Sequence, residues 1–304
     1  MAYPRNERKP KRPFTLHLSA RLLHCCDAAT HDITVRNGTP SVVGYNTKVT
    51  DGTKYPILGA SFLPVSGAGT FKLGDFVPTG SSVDDDYIQV INSTTLDADA
   101  TYHYLDKATA DYIAIDNGGE AGECDDLIGW WDGAYDIGDA DGAANNVTFA
   151  NGTGFLGFFE SGEEISFQAS GQVPDVVTSV TTDGSKYPII TSYIPKTIPL
   201  GWIVPVGSSV DDDYIQVINS TTLDADATYH YLDKATADYI AIDNGGEAGD
   251  CDDLIGWWDG AYDIGDDGGS ANAVSVNPGD GFLGFLESGE EITFNFPSSF
   301  KVTE

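Results

Sequence analysis

A tandem duplication constrains this chain more than any other feature. The stretch Gly80–Asp139 recurs as Gly207–Asp266 with a single difference, Glu123 against Asp250. The flanks are looser copies. KYPILGASF from Lys54 answers KYPIITSY from Lys186, and GFLGFFESGEEISF from Gly154 answers GFLGFLESGEEITF from Gly281. Two copies of this size predict two domains, because a solenoid of small units needs at least three repeats to bury its faces. The boundaries that follow are an N-terminal arm over 1–40, a first domain over 41–173 and a second over 174–304.

Inside each copy the pattern is strand after strand. Tyr87–Ile91 and Thr101–Leu105 alternate, Tyr112–Ile115 reads as a further strand, and Asp116-Asn-Gly-Gly119 and Asp132-Gly133 are turn sequences. Ile128–Trp131, Gly154–Phe159 and Glu164–Phe167 complete the set, with one short helix expected over Asp106–Ala110. Short strands at this spacing predict an all-β chain: two tandem, near-identical β-sandwich-like domains preceded by an extended basic arm.

Three short motifs add to this. Ser41-Val-Val-Gly-Tyr-Asn-Thr opens the first copy, and Gly154-Phe-Leu-Gly-Phe with Phe167-Gln-Ala-Ser-Gly-Gln-Val173 closes it. In these the chain resembles a group of secreted, β-rich tandem-domain proteins of environmental bacteria, with a V-G-Y-x-T opening strand and G-F and F-S-G-Q-V closing strands. The second copy lacks the V-G-Y opening, and Leu156 and Leu283 stand where the group often has Trp. The resemblance implies export to the cell surface or beyond, and a β-fold; it implies no reaction.

Charge separates the arm from the rest. The chain carries 15 Lys+Arg against 47 Asp+Glu, a net charge of −32. A polyanion of this strength excludes nucleic acid as a partner, since phosphate binding needs a basic footprint. No apolar run is long enough to span a membrane as a helix, and 41% hydrophobic residues exclude a disordered acidic tail. The first 36 residues, however, hold seven basic and three acidic residues. Arg5, Arg8, Lys9, Lys11 and Arg12 precede an extended pattern in which Phe14, Leu16, Leu18, Ala20 and Leu22 share one side. Such a strand can pair with a sheet edge in a neighbouring molecule. It also suits an extra strand on its own first domain, or a secretory leader, against which His17, Arg21 and His24 argue.

Candidate chemistry is sparse. Cys25 and Cys26 in the arm, with Cys124 and Cys251 at one site per copy, could form arm-to-body disulfides within or between chains, or remain free thiols. Asp84, Asp86, Asp136, Asp139 and Asp141 offer carboxylates in Gly-rich turns, as calcium prefers, although a solvated acidic face is the plainer reading. In the adjacent pairs Trp130-Trp131 and Trp257-Trp258 strand geometry sends one ring inward and its neighbour outward, to an interface or a sugar. His103 and His230 lie mid-strand between tyrosines, away from any nucleophile-elbow or zincin arrangement. The sequence therefore reads as a non-enzymatic, secreted structural protein that self-assembles head-to-tail into a filament, tube or surface layer. The alternative is a tandem carbohydrate-binding or adhesive module with one aromatic site per repeat.

Overall fold

The computed structural model describes residues 43–50, 52–59, 62, 70–174, 177–192 and 194–298. The chain divides into Met1–His31 and Asp32–Glu304, and every described residue belongs to the second unit. The arm residues Phe14, Leu16, Leu18, Ala20, Leu22, Arg5, Arg8, Lys9, Lys11 and Arg12, together with Cys25 and Cys26, lie outside the described residues.

The first repeat runs β1 (Val43–Val49), β2 (Ile57–Gly59), β3 (Thr70–Lys72), β4 (Val77–Thr79), β5 (Asp86–Ile91), β6 (Ala98–Leu105), α1 (Lys107–Asp116), β7 (Gly129–Asp132), β8 (Thr148–Ala150), β9 (Gly154–Phe159) and β10 (Ser166–Gln172). The second runs β11 (Thr178–Thr181), β12 (Ile189–Thr191), β13 (Ile198–Pro199), β14 (Val204–Val206), β15 (Asp213–Ile218), β16 (Ala225–Leu232), α2 (Lys234–Asp243), β17 (Gly256–Asp259), β18 (Ser275–Val276), β19 (Gly281–Leu286) and β20 (Thr293–Phe296). Among the described residues the result is mostly β-strands in small antiparallel sheets, with one α-helix per repeat. Sheet orders are β2-β9-β5-β6-β7, β1-β10-β4 and β3-β8, and the second repeat reproduces all three as β12-β19-β15-β16-β17, β11-β20-β14 and β13-β18.

Alternation decides which faces are buried. In β5, Asp86 and Ile88 point inward while Tyr87 and Gln89 point outward. Ile88, Phe155 and Phe159 of the five-stranded sheet meet Phe167 and Ala169 of the three-stranded sheet in one core that also holds Leu58, Tyr104 and Trp130. Phe76 stacks on Phe167 at 4.7 Å between ring centroids. Each such side chain contributes about 1.5–3 kcal/mol by leaving water. Ile215, Phe282, Leu286, Phe294 and Trp257 build the equivalent core in the second repeat, with Leu286 in the place of Phe159 and Ile203 in the place of Phe76.

The helix corrects one expectation. Residues Tyr112–Ile115 are not a strand: α1 continues through them to Asp116. Asp106 caps its start by accepting from Thr109 N at 2.8 Å. Its end is closed by Gly119 N donating to Ala114 O, with Gly118 at φ +83°. The alternation of Tyr-Ile-Ala-Ile misleads because the buried positions are Ala110 and Ala114, four apart, which is a helical face and not a strand face.

Candidate assembly surfaces

The tryptophan pairs are not a surface, contrary to expectation. Trp130 and Trp257 are 2% exposed, and Trp131 and Trp258 are 6% exposed. Strand geometry does send the rings of each pair to opposite faces, but both faces are covered. Trp130 enters the core and donates from Nε1 to Phe76 O at 2.8 Å. Trp131 faces α1, packs with Leu105 and Ala110, and donates to Leu127 O at 2.8 Å. The same bonds recur from Trp257 to Ile203 O and from Trp258 to Leu254 O. Covering Trp131 with the helix removes that ring as a stacking platform.

The acidic loops also differ from expectation. Among the described residues no group of three or more His, Cys, Asp or Glu side chains is placed to hold a metal ion. Asp86 is buried, and its carboxylate accepts from Ser82 N at 2.7 Å and Ser161 N at 3.1 Å. It ties two loops together and is not a solvent-facing ligand; Asp213 repeats the arrangement with Ser209 N and Ser288 N. Asp84, Asp136, Asp139 and Asp141 are exposed in successive turns. Cys124 and Cys251 are free thiols, each half-buried in the helix-side cluster of its own repeat.

A single cation organises each acidic block. Lys107 is the only Lys or Arg in Gly80–Asp139, and its Nζ donates to Asp111 at 3.1 Å and to Asp125 at 2.8 Å. Asp111 also accepts from Gly122 N at 2.7 Å, so the pair pins the loop after α1 to the helix. Hydrogen bonding to Lys107 holds the Asp111 carboxyl below its ordinary pKa, and the bonds to Asp125 and then Asp111 raise that of Lys107.

Aromatic surface remains in view at several places among the described residues, Tyr135 and Tyr262 included, and two of them are the most extensive. Tyr112 and Ile115 on α1 are 68% and 59% exposed, and Tyr239 and Ile242 on α2 are 69% and 59% exposed. Large apolar side chains this bare, paired three residues apart on a helix and present twice, mark a contact surface more readily than scattered exposure does. On the outer face of the five-stranded sheet, half-buried rings form a row across the strands. His103 packs on Tyr87 at 5.3 Å, Tyr87 stacks on Phe158 at 5.0 Å, and Phe158 meets Tyr55 edge-on at 5.5 Å. The second repeat has the same row in His230, Tyr214, Phe285 and Tyr187. Burial, then the charge of Glu160, raises the Tyr87 pKa. The His103 ring is oriented by Nδ1 against Val83 O at 3.0 Å.

The two repeats meet along a seam that is reciprocal. Tyr55 N donates to Ser220 O at 2.6 Å, and Tyr187 N donates to Ser93 O at 2.6 Å, each the counterpart of the other. Thr153 bridges Ile190, and Thr191 N and Oγ1 both donate to Gly152 O at 3.2 Å. Ile57 lies over Gly281 as Ile189 lies over Gly154, and neither glycine has room for a Cβ. Lys48 pairs with Asp280 across the seam. Compared with protein-family models, with curated proteins and with solved structures, the chain matches none. In the sequence most of the seam residues stand out only as imperfect flanking copies, not as a contact between the repeats. The seam's signal was present in those flanks, where Gly59 in KYPILGASF stands against Thr191 in KYPIITSY.

Proposed function

We propose that the chain is a secreted structural protein that self-assembles head-to-tail into an extracellular filament, tube or surface layer. In this reading the two repeats are near-identical β-sandwich domains, and the strand Phe14–Leu22 pairs with a neighbouring subunit. The observation that carries it is the doubled patch of Tyr112 with Ile115 and Tyr239 with Ile242. A unit with two equal sticky faces is bivalent, and bivalent units extend unless their geometry closes a ring.

Two further features support it. The three-stranded sheets end in β4 and β14, which carry Pro78 and Pro205, and in β1 and β11, which carry no proline. Proline lacks the N–H that an added strand needs, so the proline-free edges are the better acceptors for a donor strand. Arg5 to Arg12 would neutralise carboxylates of the next subunit, and calcium would bridge those left over. Negative-stain electron microscopy of the full chain tests this, with calcium and with chelator. Regular polymers are expected, lost on deleting residues 1–30; monodisperse particles under both conditions would end this reading.

A second reading, a tandem glycan-binding module, rests on the row of Tyr55, Phe158, Tyr87 and His103, repeated once. It predicts glycan-array binding that falls on Tyr87→Ala and Tyr214→Ala together, with no polymer formed.

A further inference from the structure

The seam is nearly two-fold symmetric, and it departs from symmetry where the repeats differ in sequence. Gly59 and Thr191 hold equivalent positions, opposite Gly154 in β9 and Gly281 in β19. Thr191 is completely buried. A Cβ built on Gly59 would lie 2.6 Å from Thr191 Cγ2 and nearer still to its Oγ1. The threonine of one repeat is thus a knob filling the space left by the missing side chain of the other. Lys48 and Val180 are a second unlike pair, set opposite Phe167 and Phe294. Lys48 reaches Asp280, whereas Val180 stands against Gly152, next to Thr153.

Like repeats would fit badly in the same geometry. Two second repeats would bring Thr191 against Thr191 where one added Cβ already collides, and would set Asp280 beside Val180 without its ammonium. Two first repeats would bring Gly59 against Gly59, leaving a void, and would set Lys48 beside Thr153 without its carboxylate. Only the unlike pair satisfies both volume and charge, through a built-in penalty on the alternatives.

We infer that the seam is a heterospecific docking surface: a first repeat accepts a second repeat, of its own chain or of another copy, and rejects its own kind. The test uses the full chain with a protease site inserted between residues 174 and 177, cut after folding. Native mass spectrometry should show the cut halves as unlike pairs, with like pairs rarer by about tenfold or more. Gly59→Thr should weaken the pairing by about tenfold or more. Thr191→Gly should weaken it about three- to tenfold through the void it leaves. The double exchange, Gly59→Thr with Thr191→Gly, should return it to within about threefold of the parent, since the knob is only moved across the seam. Near-ultraviolet circular dichroism of the buried tryptophans reports whether each half stays folded. Should Gly59→Thr fail to fold, the like-pair abundance of the parent decides. Abundant like pairs, halves that separate at once, or a double variant as weak as both single losses combined would overturn the proposal.

Discussion

The first and second repeats share Gly80–Asp139 and Gly207–Asp266 almost residue for residue, whereas the flanking segments differ, at Gly59 against Thr191 and at Lys48 against Val180. The shared blocks build the sheet centre, the helix and the loop pinned by Lys107 or Lys234, and these come out alike to within about 0.1 Å in their hydrogen bonds. The flanks supply β2 and β12, which meet at the seam. Identity therefore serves the sheet centre and the helix-side loops, whereas the flanks vary the core, with Phe71, Phe76 and Phe159 standing where the second repeat has Ile198, Ile203 and Leu286, and also set the contact between the repeats. Two identical units can pair in more than one way; a few unlike residues at the contact reduce the choices to one.

The comparison can be broken first at high pH. Burial holds the hydroxyls of Tyr102, Tyr104, Tyr229 and Tyr231 above their ordinary pKa of 10.0. A raised pKa in the folded state means the neutral form is favoured by folding, so this stability is fully present below pH 10 and is lost as pH climbs through the raised values. Both repeats should unfold together in an alkaline titration followed by tyrosinate absorbance. A first repeat that unfolds well before the second would show that the seam does not couple them.

Trp130→Ala and Trp257→Ala come next. Each removes a buried ring and its bond to Phe76 O or Ile203 O, and should cost about 3–5 kcal/mol in urea unfolding. Phe76 and Phe159 in the first core stand where Ile203 and Leu286 do in the second, so the two losses should differ; equal losses would mean that this change of core side chains does not reach the tryptophan. Asp86→Ala and Asp213→Ala should each cost about 1–3 kcal/mol, by leaving two backbone N–H groups without an acceptor. Asp106→Ala and Asp233→Ala, at the helix caps, should each cost about 1 kcal/mol. The smallest effect sharpens the asymmetry. Lys48→Ala should cost about 0.2–1 kcal/mol, less in high salt, whereas Val180→Ala should show no salt dependence.

Much of the strand layout was legible because side-chain alternation is a local property. Thr101–Leu105 lies inside β6, and Gly154–Phe159 is β9 residue for residue. The strand expected over Tyr112–Ile115 failed because Ala114 and Ala110 are too small to announce a helical face against louder neighbours. The candidate sites were less legible. Trp131 reads as an outward ring until α1 is placed over it, and Asp86 reads as a ligand until Ser82 N and Ser161 N, four and seventy-five residues away, converge on it.

By itself, then, the sequence determined the duplication, the β-rich character and the separation of a basic arm from an acidic remainder. Each of these depends on composition or on residues close together along the chain. Only the tertiary structure decided which faces are covered and which surfaces of the two repeats meet. Those outcomes depend on pairs such as Gly59 with Thr191 and Lys48 with Asp280, far apart in sequence and joined only when the sheets have closed on their cores. Burial and steric fit are properties of what lies opposite, and no local pattern carries that information.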